Sequence, residues 1–191
     1  TRVYDQGSLY VSATGYFSSV GYGSTGIEAA QENVLDGQSQ TLLGQRLRNL
    51  LTGEKRQGGG VELTLRASMQ EAAAAALGDR KGAVVALDAK TGAILALYSS
   101  PSFDPNALAS RDAGEVQDAY ATLDADPKNP MLNRTISERY APGSTFKVLT
   151  AIALIENGIA NPDTRMDSPV STTLPGTNTE VSNIESSTCG D

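Results

Sequence analysis

Apolar residues are densest between Phe146 and Ile155. Phe146, Val148, Leu149, Ile152, Leu154 and Ile155 leave almost no polar face, which predicts a buried helix over 148–156 closed by Asn157-Gly158. Pro142 and Gly143 interrupt the chain just before it, so this helix can begin at Ser144 or one residue earlier. Two further apolar runs, 83–87 and 93–98, flank Asp88-Ala89-Lys90-Thr91-Gly92, the pattern of a β-hairpin with a short glycine-bearing turn. Upstream, Val61 to Leu65 alternates as a strand does. Ala67 to Leu77 is alanine-rich and helical by propensity, with Gly78 as its stop.

The flanks carry weaker signals. Residues 1–25 are rich in Gly, Ser and Tyr and suggest short strands and turns. A short helix is expected over 26–35, stopped by Asp36-Gly37, with Thr25 as its cap and Glu28 as the capping-box acid. Leu42, Leu43, Leu47, Leu50 and Leu51 among polar neighbours fit a second amphipathic helix over 41–51. Lys55-Arg56-Gln57-Gly58-Gly59-Gly60 is the clearest break, and the module boundary is placed there: 1–60, then 61–191. A helix is expected over 111–123 and a loop over 124–130. After Gly158 periodicity fades, and Leu174-Pro175-Gly176 marks a turn.

Composition narrows the function. A net charge of −7 argues against a nucleic-acid partner. No run approaches the length of a membrane span. Cys189 is the only cysteine, so the chain holds no disulfide framework, and no basic neighbour activates it as a nucleophile. No metal-ligand cluster stands out.

The chain contains no histidine, so it cannot hold a Ser-His-Asp triad. Ser144 and Lys147 are three residues apart, on one face of the first turn of the apolar helix. That turn offers unpaired backbone N–H groups and a partial positive charge. A free lysine titrates near 10.4 and is a poor base at neutral pH. Desolvation can lower that by about 3–5 units, and the helix N-terminus contributes only about 0.3–1 kcal/mol in the same direction. Burial of the helix is therefore the condition for Lys147 to deprotonate Ser144. Ser-x-x-Lys by itself also fits a helix cap followed by a solvated lysine.

Pro142-Gly143-Ser144-Thr145-Phe146-Lys147 resembles the active-site motif of the penicillin-recognising serine transpeptidases. More specifically, it looks like that of class B penicillin-binding proteins of the actinobacterial penicillin-binding protein A type. Asn133-Arg134 followed by Tyr140-Ala141-Pro142-Gly143 resembles the approach to that motif. The stretches 81–88, 92–97 and 99–106 are similar to its first hairpin and the loop that leaves it. Leu63-Thr64-Leu65 with Gln70 resembles the entry into the domain, although Arg66 stands where an aspartate is usual. Thr25-Gly26-Ile27-Glu28 looks like a segment of the class B pedestal module, in which the acid holds the module together. The resemblance covers most of residues 20–191.

It implies an α/β (α+β) fold: an antiparallel sheet flanked by helices, here only partly present, preceded by a small pedestal module. It implies a D,D-transpeptidase that cross-links peptidoglycan stem peptides ending in D-Ala-D-Ala and is acylated by β-lactams. Ser144 would be the nucleophile, Lys147 the general base and the Ser144 backbone N–H an oxyanion-hole donor. No metal or organic cofactor is required. A membrane glycosyltransferase is the implied partner, and an N-terminal anchor outside this chain would hold the protein at the extracytoplasmic face of the bacterial membrane.

Two of the three family motifs are missing. The sequence has no Ser-x-Asn, and no Lys-Thr-Gly follows Ser144. The expectation is a fragment that ends before the second motif and is crippled alone. Lys90-Thr91-Gly92 spells the third motif, but it precedes Ser144 in a hairpin turn and is given no catalytic role. Two alternatives remain open. One is a class D β-lactamase or β-lactam sensor domain, against which residues 1–60 argue. The other is a non-catalytic cell-wall or divisome interaction module in which Ser144 only caps a helix.

Overall fold

The structure, a computed structural model, describes residues 2–38 and 58–183. The chain forms two compact units, Thr1–Arg139 and Tyr140–Asp191.

The first unit begins with a 3-10 turn, Gly7–Leu9, and three short helices: α1 (Val11–Thr14), α2 (Gly26–Ala30) and α3 (Glu32–Leu35). The strands expected over 1–25 reduce to one bridge, Phe17 to Ser24. Gly7, Gly15, Gly21 and Gly23 all adopt positive φ, and they turn the chain too often for a strand to extend. Gly15 and Gly26 lie back to back, so a Cβ on Gly15 would collide with the Thr25 carbonyl. The helix expected over 26–35 is broken at Gln31, whose φ of −117° and ψ of 22° leave the helical region. Thr25 is not a side-chain cap: its hydroxyl accepts from the Tyr16 N–H at 3.2 Å. Glu28 does not close a capping box either. It pairs with Arg2 Nε at 3.1 Å and accepts from the Tyr4 hydroxyl at 3.4 Å, a tie within the N-terminal segment. The helix expected over 41–51 and the start of the break at 55–60 fall outside the described residues.

No strand forms over 61–65. The chain instead runs beside the outer edge of the hairpin, where Thr64 Oγ1 donates to Ile94 O at 2.6 Å and Arg66 N donates to Leu95 O at 2.9 Å. Helix α4 (Ala67–Leu77) follows as expected and stops at Gly78, with φ of 51°. Its small residues let it lie close on β2, with Ala73 buried. Strands β1 (Gly82–Leu87) and β2 (Ile94–Ser100) pair antiparallel, with a bulge at Ala86/Leu87. Helix α5 (Ala113–Ala125) is capped by Asp112, whose carboxylate accepts from Gly114 N at 2.8 Å and Glu115 N at 3.1 Å. Tyr16, Leu108 and Val116 form the apolar core, packed by Phe103, Tyr120 and Leu123 among others.

A polar seam joins α1, β2 and the short helix α6 (Arg134–Ser137). Ser12 Oγ accepts from Ser99 N at 3.0 Å, and Asn133 Nδ2 donates to Ser12 O at 2.7 Å. Ser99 Oγ donates to Leu132 O at 3.2 Å and accepts from Arg134 N at 3.1 Å. Each of these buried groups therefore has a partner, as burial of polar atoms requires. Residues 1–38 and the hairpin thus share hydrogen bonds and fall in one compact unit.

The second unit carries helix α7 (Phe146–Glu156) and a hairpin of β3 (Ser171–Thr173) and β4 (Glu180–Ser182). The turn at Leu174-Pro175-Gly176 was legible in sequence. The flanking strands were not, because three-residue Ser/Thr-rich and mixed segments show no readable alternation.

Candidate active site

Pro142 has φ of −66° and Gly143 has φ of 53°, so the chain turns sharply before Ser144. Gly143–Thr145 forms a 3-10 turn that runs directly into α7. The helical path therefore opens one residue before Ser144, within the expected range. Thr145 N donates to Pro142 O at 3.2 Å, and the Thr145 hydroxyl donates to the same oxygen. Ser144 lies in this 3-10 turn and Lys147 in the first turn of α7, three residues on, the spacing of neighbours on one helical face. At the other end Asn157 Nδ2 bonds Ala153 O at 2.8 Å, and Gly158 closes the helix with φ of 68°.

The expected burial is not supplied by the described residues. None of the residues of α7 is buried: Phe146 is 55% exposed, Val148 62% and Leu149 57%. The apolar stripe is present but uncovered, so the desolvation that general-base chemistry at Lys147 requires has to come from elsewhere in the whole protein.

Lys90-Thr91-Gly92 lies in the β1–β2 turn. The Asp88 carboxylate accepts from Lys90 N at 3.0 Å, Thr91 N at 2.8 Å and Thr91 Oγ1 at 2.9 Å, and Gly92 completes the turn at φ of 74°. These bonds, led by the Thr91 N–H, hold the Asp88 carboxyl below the usual carboxylate range. The triplet builds a turn, as its sequence position indicated.

The first unit also holds an open cavity of about 560 Å³, lined by Ile27, Ala30, Leu132 and Ile136 among others. Sequence reasoning missed Arg134 and Gln70 as buried side chains, each fully or almost fully enclosed. In the sequence both stand only within stretches that carry the family resemblance. A long polar residue gives no periodic signal that it will be buried. Among the described residues no group of three or more His, Cys, Asp or Glu is arranged to hold a metal ion, and no helix is long and apolar enough to cross a membrane.

Comparison with known proteins matches two family descriptions. Residues 82–190 match the penicillin binding protein transpeptidase domain, and residues 1–61 match the penicillin binding protein A dimerisation domain. The chain therefore belongs to the penicillin-binding protein transpeptidases. Its relatives include the peptidoglycan D,D-transpeptidase PbpA of Mycolicibacterium smegmatis, 43% identical over 99% of this chain and 39% of that protein. PbpA of Mycobacterium tuberculosis H37Rv is 40% identical over 100% of this chain and 39% of that protein. The structure of penicillin-binding protein A from M. tuberculosis as its penicillin G acyl-enzyme complex superposes with a TM-score of 0.87 at 40% identity, covering all of this chain and 44% of that one. The chain thus spans about two fifths of the length of these curated relatives.

Proposed function

We propose that the protein to which this chain belongs is a D,D-transpeptidase that cross-links peptidoglycan stem peptides through a serine acyl-enzyme. The observation that supports this reading is Ser144 in the 3-10 start of α7 with Lys147 three residues on, in the helix's first turn. Family membership and relatives named as peptidoglycan D,D-transpeptidases support it. Neutral Lys147 takes the proton of the Ser144 hydroxyl, and Ser144 Oγ attacks the penultimate D-alanyl carbonyl of a stem peptide. The Ser144 backbone N–H is one oxyanion donor. D-Alanine leaves, and an amine of a neighbouring stem then attacks the acyl-enzyme to form the cross-link. β-Lactams resemble the D-Ala-D-Ala end and acylate the same oxygen.

In this reading residues 1–60 are part of an N-terminal pedestal module and 61–191 are the N-terminal portion of the transpeptidase domain. The protein's proposed partner is a membrane glycosyltransferase, and its proposed location is the extracytoplasmic face of the membrane, through an anchor outside this chain. Ser-x-Asn and a Lys-Thr-Gly after Ser144 are not in this sequence, so the full-length protein is the species to test. Incubation with excess penicillin followed by intact mass should give one penicilloyl adduct, lost in Ser144→Ala. Rapid release of hydrolysed nitrocefin would instead favour a β-lactamase. No adduct on the full-length protein would overturn the catalytic reading and favour a binding module.

A further inference from the structure

Thr145 carries a hydroxyl that this mechanism does not use. It donates to Pro142 O, which also accepts from Thr145 N at 3.2 Å, so one carbonyl takes two bonds from one residue. The next carbonyl along the chain, Gly143 O, accepts from Phe146 N. All of these groups lie within the second unit.

A peptide group is planar, so Gly143 O and Ser144 N–H move as one body. The Phe146 bond holds that plane, which carries the proposed oxyanion donor. The plane before it contains Pro142 O and is held by Thr145. Gly143 is the hinge between the two planes, at φ of 53°. Glycine is the residue whose torsions are least restricted. Packing does not restrain it here: a Cβ built on Gly143 would meet no atom within 4 Å among the described residues, and nothing in the 3-10 turn is buried. Hydrogen bonds therefore set the geometry of the turn. The backbone bond from Thr145 N is available to almost any residue at this position, whereas the hydroxyl bond is specific to the side chain present.

We propose that Thr145 is a positioning residue for Ser144: its hydroxyl, through Pro142 O, fixes the hinge that orients the Ser144 N–H and Oγ. The proposal deepens the acyl-enzyme reading above and rests on it. In acylation by a β-lactam, Ser144 Oγ bonds to the lactam carbonyl carbon and negative charge gathers on the carbonyl oxygen, facing the Ser144 N–H. The lactam C–N bond then breaks, and the ring nitrogen takes the proton that left Ser144. The same N–H faces the same oxygen when water hydrolyses the acyl-enzyme. A loosened hinge therefore slows both steps and leaves initial binding of the β-lactam unchanged.

The test is pre-steady-state acylation of the full-length protein by a chromogenic penicillin, which separates Kd from the acylation rate constant. Deacylation of the isolated adduct and melting temperature are measured beside it. Thr145→Val keeps the shape and removes the hydroxyl. It should lower both rate constants by about threefold to tenfold, the worth of one hydrogen bond, and leave Kd within about twofold. Thr145→Ser keeps the hydroxyl and should restore most of the loss. Thr145→Ala also lacks the hydroxyl and should behave as Thr145→Val does, which keeps the proposal open to test if the valine variant does not fold. Folded valine or alanine variants with both rate constants within about twofold of wild type would overturn the proposal alone. So would a serine variant as slow as they are, because the γ-methyl and not the hydroxyl would then be responsible. A wild-type protein that forms no acyl-enzyme would overturn the catalytic reading and this proposal with it.

Discussion

Gln70 pairs with the backbone of Leu97 as a neighbouring strand would. Its Oε1 accepts from Leu97 N at 2.9 Å, and its Nε2 donates to Leu97 O at 2.8 Å and to Leu9 O at 2.8 Å. Thr64 and Arg66 bond the carbonyls of Ile94 and Leu95, and Ser12 bonds the N–H of Ser99. Backbone groups along the outer edge of β2 are therefore satisfied by side chains and an extended segment, and this edge offers little to another strand. One fully buried glutamine ties α4, β2 and the N-terminal 3-10 turn together.

Replacing Gln70 should therefore destabilise the first unit more than its size suggests. Gln70→Leu keeps the volume and orphans the Leu97 N–H, the Leu97 carbonyl and the Leu9 carbonyl. Each buried unsatisfied group costs about 1–3 kcal/mol. A fall in the urea midpoint with an unchanged m-value is the expected result. A midpoint equal to wild type would show that water can replace the amide.

The hairpin triplet offers a test of turn against site. Lys90 contributes its backbone N–H to Asp88, and alanine retains that group. Lys90→Ala should acylate with penicillin at the wild-type rate. Slow acylation by a well-folded Lys90→Ala protein would show that the side chain takes part in the chemistry. Asp88 itself links the turn to pH. Its folded-state pKa is depressed, so its contribution to stability is present above the ordinary carboxylate value and is lost as pH falls through the folded value. Asp88→Ala should remove that part of the acid dependence, read from melting temperatures below pH 4.

At the alkaline end the relevant group is Tyr4. Burial, reinforced by the Glu28 carboxylate, pushes its hydroxyl up to about 12. A raised pKa means that the unfolded chain ionises first. The stabilisation is complete below about pH 10 and disappears as pH rises through about 12. Tyr4 is only half-buried, so solvent screening keeps the effect smaller than the full shift. In Tyr4→Phe the fall in stability across that window should be shallower. A residual slope should remain, because burial also raises Tyr16.

What was legible in the sequence was local. Gly78 stops α4, Asp88 to Gly92 turns the hairpin, and Pro142-Gly143 opens the helical turn that precedes α7. Each signal sits within a few residues of the structure it produces. What was not legible depends on distant partners. Nothing near Gln31 announces the break between α2 and α3, and no pattern shows that Arg134 will be enclosed by the carbonyls of residues 128–132. The apolar stripe of α7 predicts burial, but composition reports what a face needs and not what covers it. Here 46% of Ile152 and 50% of Ile155 remain exposed, so the sequence located the pair without its environment.

Lys147 is where charge and base chemistry can be separated. If its role is to accept the Ser144 proton, a permanently charged residue cannot replace it, because a guanidinium does not deprotonate near neutral pH. If its role is only to attract an anionic substrate, arginine should serve nearly as well. Lys147→Arg and Lys147→Met in the full-length protein should therefore fail alike. Each should lose about 100-fold or more in the acylation rate constant, the usual range for removal of a general base. Penicillin affinity should hold better in Lys147→Arg than in Lys147→Met, since only the arginine keeps the charge. Stopped-flow acylation of the two variants, with melting temperatures as a folding control, makes the comparison. Acylation by Lys147→Arg within about tenfold of wild type would remove lysine from the proton-transfer step and leave it an electrostatic role.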